Sequence, residues 1–431
     1  MERRVIARAG PFRAALLGLA LGLAPAAALA QDGPARLLRF GITQGFDVTA
    51  NQALAPVSAG TTRSATTRLS FALTSETPAS RLAIDGGAVL RAASGPGITR
   101  GGLRLEDPQL GLSYARSSAD ATLSVSGRLR SSDIRFLRPL EDFVDPDTGL
   151  IELPEDFDDL SGSGTRRSYS LGGQLRWGEQ ARVGVSVNAR VAGIRYSGAA
   201  PTLFDNRRTT LGATLRFTLS PVTEATLGIS RSRYTDSNPL RAARDSTVLS
   251  LGLTNERPNG IVSIGLSAED RGGGTRVALS FGRSYDLPLG GLSISLGATR
   301  AETGGTSLTG AIGWTHALPE SRISARLSRE VTTASDDTAR LRTALNLGWS
   351  RDLSDVSSLG LNLAVVDSRT TATGARVTNG VLGVSYNRQL TPDWTLSAGY
   401  RHNQRRTSPA GTSASSGSVF ATLRRDFVTG F

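Results

Sequence analysis

From residue 38 onward the chain repeats one pattern. Leu38, Phe40, Ile42, Phe46 and Val48 share one parity, and Arg39, Gly41, Thr43, Asp47 and Thr49 share the other. A β-strand turns successive side chains to opposite faces, so such a segment has one apolar face and one wet face. The same period of two returns in Leu123-Val125-Leu129, Tyr169-Leu171-Leu175-Trp177, Val183-Val185-Val187 and Leu211-Leu215-Phe217-Leu219. It continues through Val262-Ile264-Leu266, Val277-Leu279-Phe281, Leu292-Ile294-Leu296 and Leu308-Ile312-Trp314. Leu341-Leu345-Leu347-Trp349, Leu359-Leu361-Leu363 and Leu382-Val384-Tyr386 complete the series. Ser, Thr, Gly, Asn and Arg fill the positions between, and nothing beyond residue 30 shows a helical period. The pattern predicts an all-β chain whose strands each carry one apolar face.

The connections alternate in length. Short turns fall at Thr77-Pro78, Ala119-Asp120, Gly178-Glu179, Ser220-Pro221, Pro258-Asn259-Gly260, Pro288-Leu289-Gly290, Pro319-Glu320, Ser354-Asp355 and Thr391-Pro392-Asp393. Longer polar loops separate them, among them 197–208, 232–246, 331–340, 367–378 and 402–415. Nine short turns with one further strand at each end give twenty strands, which puts both termini at the short-turn rim. Trp177, Trp314, Trp349 and Trp394 sit close to short turns on the apolar parity, as do Phe71, Tyr114, Phe217, Tyr285 and Tyr386. Short turns at one rim, long loops at the other and an aromatic girdle on the apolar face describe a transmembrane antiparallel up-and-down β-barrel.

The N-terminal thirty residues read differently. Arg3, Arg4, Arg8 and Arg13 precede an apolar run from Ala14, and Ala28-Leu29-Ala30 offers a small-x-small cleavage site before Gln31. This is the pattern of a cleaved secretory signal peptide over 1–30, with the barrel occupying 31–431. The run is short for a ~20-residue membrane span.

Composition then removes function classes. The chain has no Cys, two His and 49 basic residues, every one of them Arg. A disulfide framework, a thiolate metal site, a cysteine nucleophile, a phosphate-loop lysine and a lysine general base are all excluded. The formal charge of +12 raises the question of nucleic acid, but the Arg residues are scattered singly, which is not a nucleic-acid patch. Without residues 1–30 there remain 45 Arg against 36 acids, a net +9.

The last strand runs from Val419-Ala421-Leu423 through Phe427 to Phe431. In this the chain resembles Gram-negative outer-membrane β-barrel proteins, whose closing strand commonly ends in an aromatic read by the barrel assembly machinery. The resemblance implies an outer-membrane location and a β-barrel fold. It also implies Phe427 and Phe431 as the assembly signal, with periplasmic chaperones, outer-membrane lipid and lipopolysaccharide as partners. Arg425 departs from the pattern, which usually has an apolar residue there.

On the wet parity lie Arg68, Arg128, Arg130, Arg176, Arg190, Arg216, Arg322, Arg326, Arg342, Arg401 and Arg424. Fixed guanidinium groups along a water-filled lumen would concentrate anions. The other reading is that they pair with carboxylates or simply meet water.

The longest loop, 131–166, follows the fifth strand. It carries Glu141, Asp142, Asp145, Asp147, Glu152, Glu155, Asp156, Asp158 and Asp159 with no Arg between them, a block of −9 that leaves +18 on the rest of the mature chain. Phe136, Leu140, Phe143, Leu150, Ile151, Leu153 and Phe157 give it apolar content that a solvated loop does not need. Its place as third long loop is similar to the constriction loop of general porins, which implies an inward fold. A surface loop is the alternative. Asp145-Pro146-Asp147-Thr148-Gly149 fails as a calcium loop, because Leu150 stands where that frame requires Gly.

Neither His316 nor His402 is followed by a nucleophile in a hydrolase spacing, so acyl-transfer chemistry has no visible seat. The sequence therefore predicts no enzyme, no cofactor and no metal. It predicts a porin-like channel for small polar or anionic solutes, with a non-conducting structural or surface-interaction barrel as the alternative.

Overall fold

In the computed structural model the described residues are 35–96, 98, 103–137, 140, 143, 151, 153–154, 157, 160, 162–271, 273–301, 305–334 and 338–430. Residues 1–30 and Phe431 lie outside them.

Twenty strands follow one another: β1 Ala35–Ala50, β2 Thr61–Thr77, β3 Ser80–Ser94, β4 Arg104–Ser117, β5 Ala121–Asp133, β6 Thr165–Trp177, β7 Val183–Ser197, β8 Asn206–Ser220, β9 Thr223–Asp236 and β10 Arg244–Arg257. They continue as β11 Gly260–Asp270, β12 Thr275–Leu287, β13 Gly290–Arg300, β14 Thr306–Leu318, β15 Ser321–Thr333, β16 Ala339–Ser354, β17 Ser357–Thr370, β18 Arg376–Thr391, β19 Trp394–Ser408 and β20 Thr412–Gly430. Each pairs antiparallel with its sequence neighbours, and β1 pairs with β20 from Leu37 opposite Gly430 to Ala50 opposite Gly417. That last ladder closes the sheet, so no strand edge is left exposed. Closure also satisfies every strand within the wall itself, as a hydrocarbon environment demands.

Residues paired across a ladder share a face, so register decides which way each side chain points. Phe40 is opposite Phe71 on one side and Phe427 on the other, and Leu38 is opposite Leu73. Apolar residues thus meet apolar residues across each ladder on the outer face. Phe46 is 64% exposed, Leu211 61% and Leu308 68%. A belt of this kind far exceeds what a water-soluble monomer shows and marks a surface built for lipid. Two outer-face glycines are roofed by aromatic rings: a Cβ on Gly86 would come within 2.5 Å of Phe71, and one on Gly193 within 2.5 Å of Tyr169. These rings fill the gap that a glycine leaves on the wall.

All nine short turns stand where the sequence puts them. Trp177, Trp314, Trp349 and Trp394 lie on the outer face near this rim, the last opposite Arg425. Arg425 stays within the girdle by lying over two rings, 5.3 Å from the centroid of Trp394 and 4.6 Å from that of Phe427.

The long loops are shorter than the sequence suggests. The connection expected at 232–246 is 237–243, and that expected at 402–415 is 409–411. Past the apolar belt the outer face turns polar, as at Arg231 and Arg233 on β9 or Gln404 and Arg406 on β19, while the ladder continues. Polarity on both faces reads as loop in a sequence, but it equally describes a wall standing clear of the bilayer.

Candidate functional site

The inner face carries the chemistry. Register puts Arg68 opposite Thr43 and Val89, Arg128 opposite Gly111 and Ser170, and Arg130 opposite Gln109 and Ser168. Arg176 is opposite Ser186, Arg190 opposite Gly172 and Thr210, and Arg216 opposite Gly184 and Thr226. Arg322 faces Ser350, Arg326 faces Gly313 and Asn346, and Arg342 faces Glu330 and Ser368. Arg401 is opposite Gly383 and Ser418, and Arg424 opposite Thr43 and Thr395. By register all eleven share the inner face, among small or polar partners apart from Val89 beside Arg68.

They do not form one uniform lining. Arg216 is fastened at the short-turn rim, donating to the Gly178 carbonyl at 2.7 Å and the Glu179 carbonyl at 2.9 Å, with Glu224 3.6 Å away. Arg424 is paired with Asp426 at 2.8 Å. These two brace the wall.

Five of the others, Arg68, Arg130, Arg326, Arg342 and Arg401, border two cavities. The first, of 360 Å³, is lined by Arg68, Arg91, Arg130 and Arg401 together with Asp47 and Asp107. Within it Arg91 holds Glu106 at 2.8 Å and Asp107 at 3.5 Å, and Arg401 lies 5.0 Å over the Phe420 ring. The second, of 690 Å³, is lined by Arg208, Arg271, Arg276, Arg326 and Arg342. Here Glu269 receives Arg271 at 2.9 Å and Arg276 at 3.6 Å, and Arg276 also donates to Thr333 at 3.0 Å. Arg68, Arg130, Arg271, Arg276, Arg342 and Arg401 are all engaged by neighbouring groups. Arg91 and Arg276 were not singled out from the sequence. Val277, Leu279 and Phe281 fix the parity that turns Arg276 inward, whereas Val89-Leu90 breaks the alternation before Arg91.

The described residues between β5 and β6 meet the inner face of the wall. The first of them form a 3₁₀ turn, Ile134–Phe136, in which the Asp133 carboxylate accepts the Arg135 amide. The same carboxylate grips the Arg135 guanidinium at 2.6 Å, and this hydrogen bond holds that group above its ordinary pKa. The Ile134 amide donates to the Gly164 carbonyl at 2.8 Å, pinching the two ends of the segment together. Beyond the pinch Leu140 is wholly buried and Phe157 nearly so, packed on Ala364, Val366 and Val381 with Ala344 beside them. Phe143 meets Phe157 edge to face, with centroids 5.4 Å apart.

Ala344 and Val366 are cross-strand partners, as are Ala364 and Val381, so these four residues make one apolar patch on the inner face of β16–β18. Ile151 and Leu153 continue from this contact to the rim of the 690 Å³ cavity, facing Arg326 and Arg342. A second loop supports the arrangement from the mouth: Gln52 donates to the Arg135 carbonyl at 3.2 Å, and Asn51 donates to the Ser415 carbonyl at 2.9 Å. The nine acids Glu141, Asp142, Asp145, Asp147, Glu152, Glu155, Asp156, Asp158 and Asp159 lie outside the described residues.

Both histidines point outward. His316 stacks on Trp314 at 5.8 Å, and His402 is opposite Leu382 and Gly417. Among the described residues no group of three or more His, Cys, Asp or Glu could hold a metal ion.

No protein-family model matches the chain, and no curated protein matches it in sequence. Solved structures do match its fold. A point variant of the ferric enterobactin receptor PfeA from Pseudomonas aeruginosa aligns with a TM-score of 0.52 at 11% identity, over 92% of this chain and 81% of that one. The siderophore receptor PirA from the same organism gives 0.49 at 13% identity, over 90% and 80%. OccK7 of Pseudomonas aeruginosa gives 0.42 at 12%, over 93% of this chain and all of that one. The closed ladder of twenty strands and the alignment with the PfeA variant together give the chain the antiparallel barrel fold found among Gram-negative outer-membrane proteins.

Proposed function

We propose that this chain is an outer-membrane channel through which small polar or anionic solutes pass passively, along an Arg-bearing lumen narrowed by the segment 134–164. The observation that carries the reading is the burial of Leu140 and Phe157 against Val366 and Val381. An apolar patch on the wet face of a barrel would be unfavourable if it met only water. Its coverage by a loop that then approaches Arg326 and Arg342 supports a device that sets the width of the passage. Guanidinium groups in a confined aqueous path favour anions over cations, because the low-dielectric wall concentrates their field.

The same inward segment also favours a second reading, in which the lumen is closed and the barrel is structural or serves surface interaction. Planar-bilayer conductance of the refolded protein separates the two. Channel steps above background support the first, and their absence overturns it. If the barrel conducts, removing residues 141–159 raises the conductance and strengthens the preference for anions, since a −9 block leaves with the obstruction. An unchanged current after that removal would place the segment outside the conducting path. Residence in the outer membrane of a Gram-negative bacterium, after export on a cleaved leader of residues 1–30, belongs to the same proposal. Membrane fractionation and heat-modifiable gel migration test it.

A further inference from the structure

We propose that the 360 Å³ cavity beside the first long connection is a binding site for a small zwitterion of the amino-acid class, with a carboxylate and an ammonium on one short skeleton. The observation that carries this is Asp47. Its side chain is half-buried on the inner face of β1, in a cavity bordered by Arg68, Arg91, Arg130 and Arg401. Among the described residues its carboxylate meets only the Thr49 hydroxyl. Other carboxylates of the lumen behave differently. Arg91 holds Glu106 and Asp107, Arg271 and Arg276 share Glu269, and Glu224 lies beside Arg216. Register keeps Asp47 apart from the nearby guanidiniums. It is opposite Ser64 and Phe420, whereas Arg91 stands in the row of Gly45 and Thr66, and Arg401 in the row of Thr49 and Ser418. Each of these Arg residues starts two strands away, about 10 Å along the wall. Each is also drawn onto a ring, Arg91 at 4.1 Å from the Phe136 centroid and Arg401 at 5.0 Å from that of Phe420.

Charge selects the ligand. A simple anion is repelled by Asp47 and a simple cation by the guanidiniums, so neither suits the whole set. A molecule bearing both charges suits it, with its carboxylate towards Arg68 and Arg130 and its ammonium towards Asp47. Arg68, Arg130 and Arg401 are engaged by neighbouring groups, and the inference takes from them only their fixed positive charge. The acceptors continue from Asp47 across two neighbouring strands, to Ser418 on β20 and Asn403 on β19, which are 3% and 7% exposed and border the same cavity. Among the described residues no hydrogen bond reaches the Ser418 hydroxyl or the Asn403 side-chain oxygen. Buried polar atoms are rarely left so, and an ammonium brings three N–H donors to this side of the cavity.

The connection between β1 and β2 shapes one side of the cavity. Gln52 and Leu54 border it, and here Asn51 and Leu54 hold φ of 53° and 47°, a conformation that a Leu seldom adopts. The Asn51 side chain clamps this turn, accepting the Ala55 amide at 3.1 Å and donating to the Ala55 carbonyl at 2.8 Å. Strain that is held in place by its surroundings gathers at ligand clamps and binding sites. The cavity shares no lining residue with the 690 Å³ one that Ile151 and Leu153 approach. The inference therefore goes beyond the channel reading and does not rest on conduction: a barrel that passes no current would still bind the zwitterion.

The test uses the barrel refolded in a neutral detergent, with heat-modifiable migration as the check of folding, and follows binding by ligand-observed saturation-transfer NMR. The probes are γ-aminobutyrate, butyrate, which lacks the ammonium, and butylamine, which lacks the carboxylate. The parent should bind γ-aminobutyrate at least about tenfold more tightly than either of the others, since each lacks one charge-assisted contact. Asp47→Asn should weaken γ-aminobutyrate by about the same factor and strengthen butyrate, because the repelling carboxylate is gone. Arg68→Gln/Arg130→Gln should weaken γ-aminobutyrate and butyrate and strengthen butylamine. Asp245→Asn, on the outer face of β10, should change nothing. No binding of γ-aminobutyrate by the folded parent would overturn the assignment. Equal binding of butyrate would mark a plain anion site, and equal binding of butylamine a plain cation site; either would overturn it. So would an unaffected Asp47→Asn variant, a parallel loss of γ-aminobutyrate and butyrate in it, or an equal loss in the Asp245→Asn control. Should the variants not fold, the comparison of the three probes on the parent decides.

Discussion

Releasing the inward segment without disturbing the wall is the most direct way to separate an obstructed channel from an open tube. Leu140→Ala and Phe157→Ala act on the cluster with Phe143, Ala364, Val366 and Val381 and leave the ladders intact, because neither residue belongs to a strand. Truncating a buried Leu costs about 2–5 kcal/mol and a buried Phe about 3–5 kcal/mol. The two share one cluster, so their effects do not simply add. Taking the low end of each and discounting for coupling leaves about 4 kcal/mol lost from docking. At about 1.4 kcal/mol per tenfold, the undocking equilibrium shifts by roughly three powers of ten. The ladders β1–β20 do not depend on this contact, so the folded barrel should migrate on a gel as before. Single-channel recordings of the double variant should show larger and noisier conductance than the parent. A heat-modifiable double variant with the parent's conductance would refute the claim that this contact sets the passage.

Other outcomes follow from the same geometry. Val366→Asp places an unpaired carboxylate in a fully buried position, at a cost of about 3–5 kcal/mol; the segment should be expelled and limited proteolysis should cut within 141–159 in the variant alone. Arg326→Gln with Arg342→Gln removes two cations facing the segment and should lower the anion-to-cation permeability ratio about twofold, read as the reversal potential under a salt gradient. Arg216→Gln, whose guanidinium is spent on turn carbonyls, should leave that ratio unchanged while destabilising the Gly178 turn. Arg425→Ala removes the cation above Trp394 and Phe427 and should cost about 1 kcal/mol in urea refolding followed by Trp fluorescence.

The alternation that defines this barrel is legible because lipid and water impose opposite demands on successive residues, strand after strand. Leu38, Phe40 and Ile42 need no distant partner to declare their face, and the Pro- and Gly-bearing turns at Thr77-Pro78 or Pro258-Asn259-Gly260 punctuate the ladders locally. Parity assigns the Arg residues to the wet face, but it cannot say what each one meets. Arg216 and Arg326 look alike in sequence, and one straps a turn while the other borders a cavity. The docking patch was hidden for a different reason. Ala364-Val365-Val366 reads as a greasy strand centre, and Val381 as a single lapse on the wet parity, when in fact these lapses line up across β17 and β18 opposite a loop that leaves the chain between β5 and β6. No local period connects Leu140 to Val366. Yet in a wall whose inner positions are mostly polar or small, a run of apolar residues on that parity implies that something other than water covers it, and the candidates are few: a loop of the chain, or a solute. Val89, buried on the inner face beside Arg68, is another break of this kind.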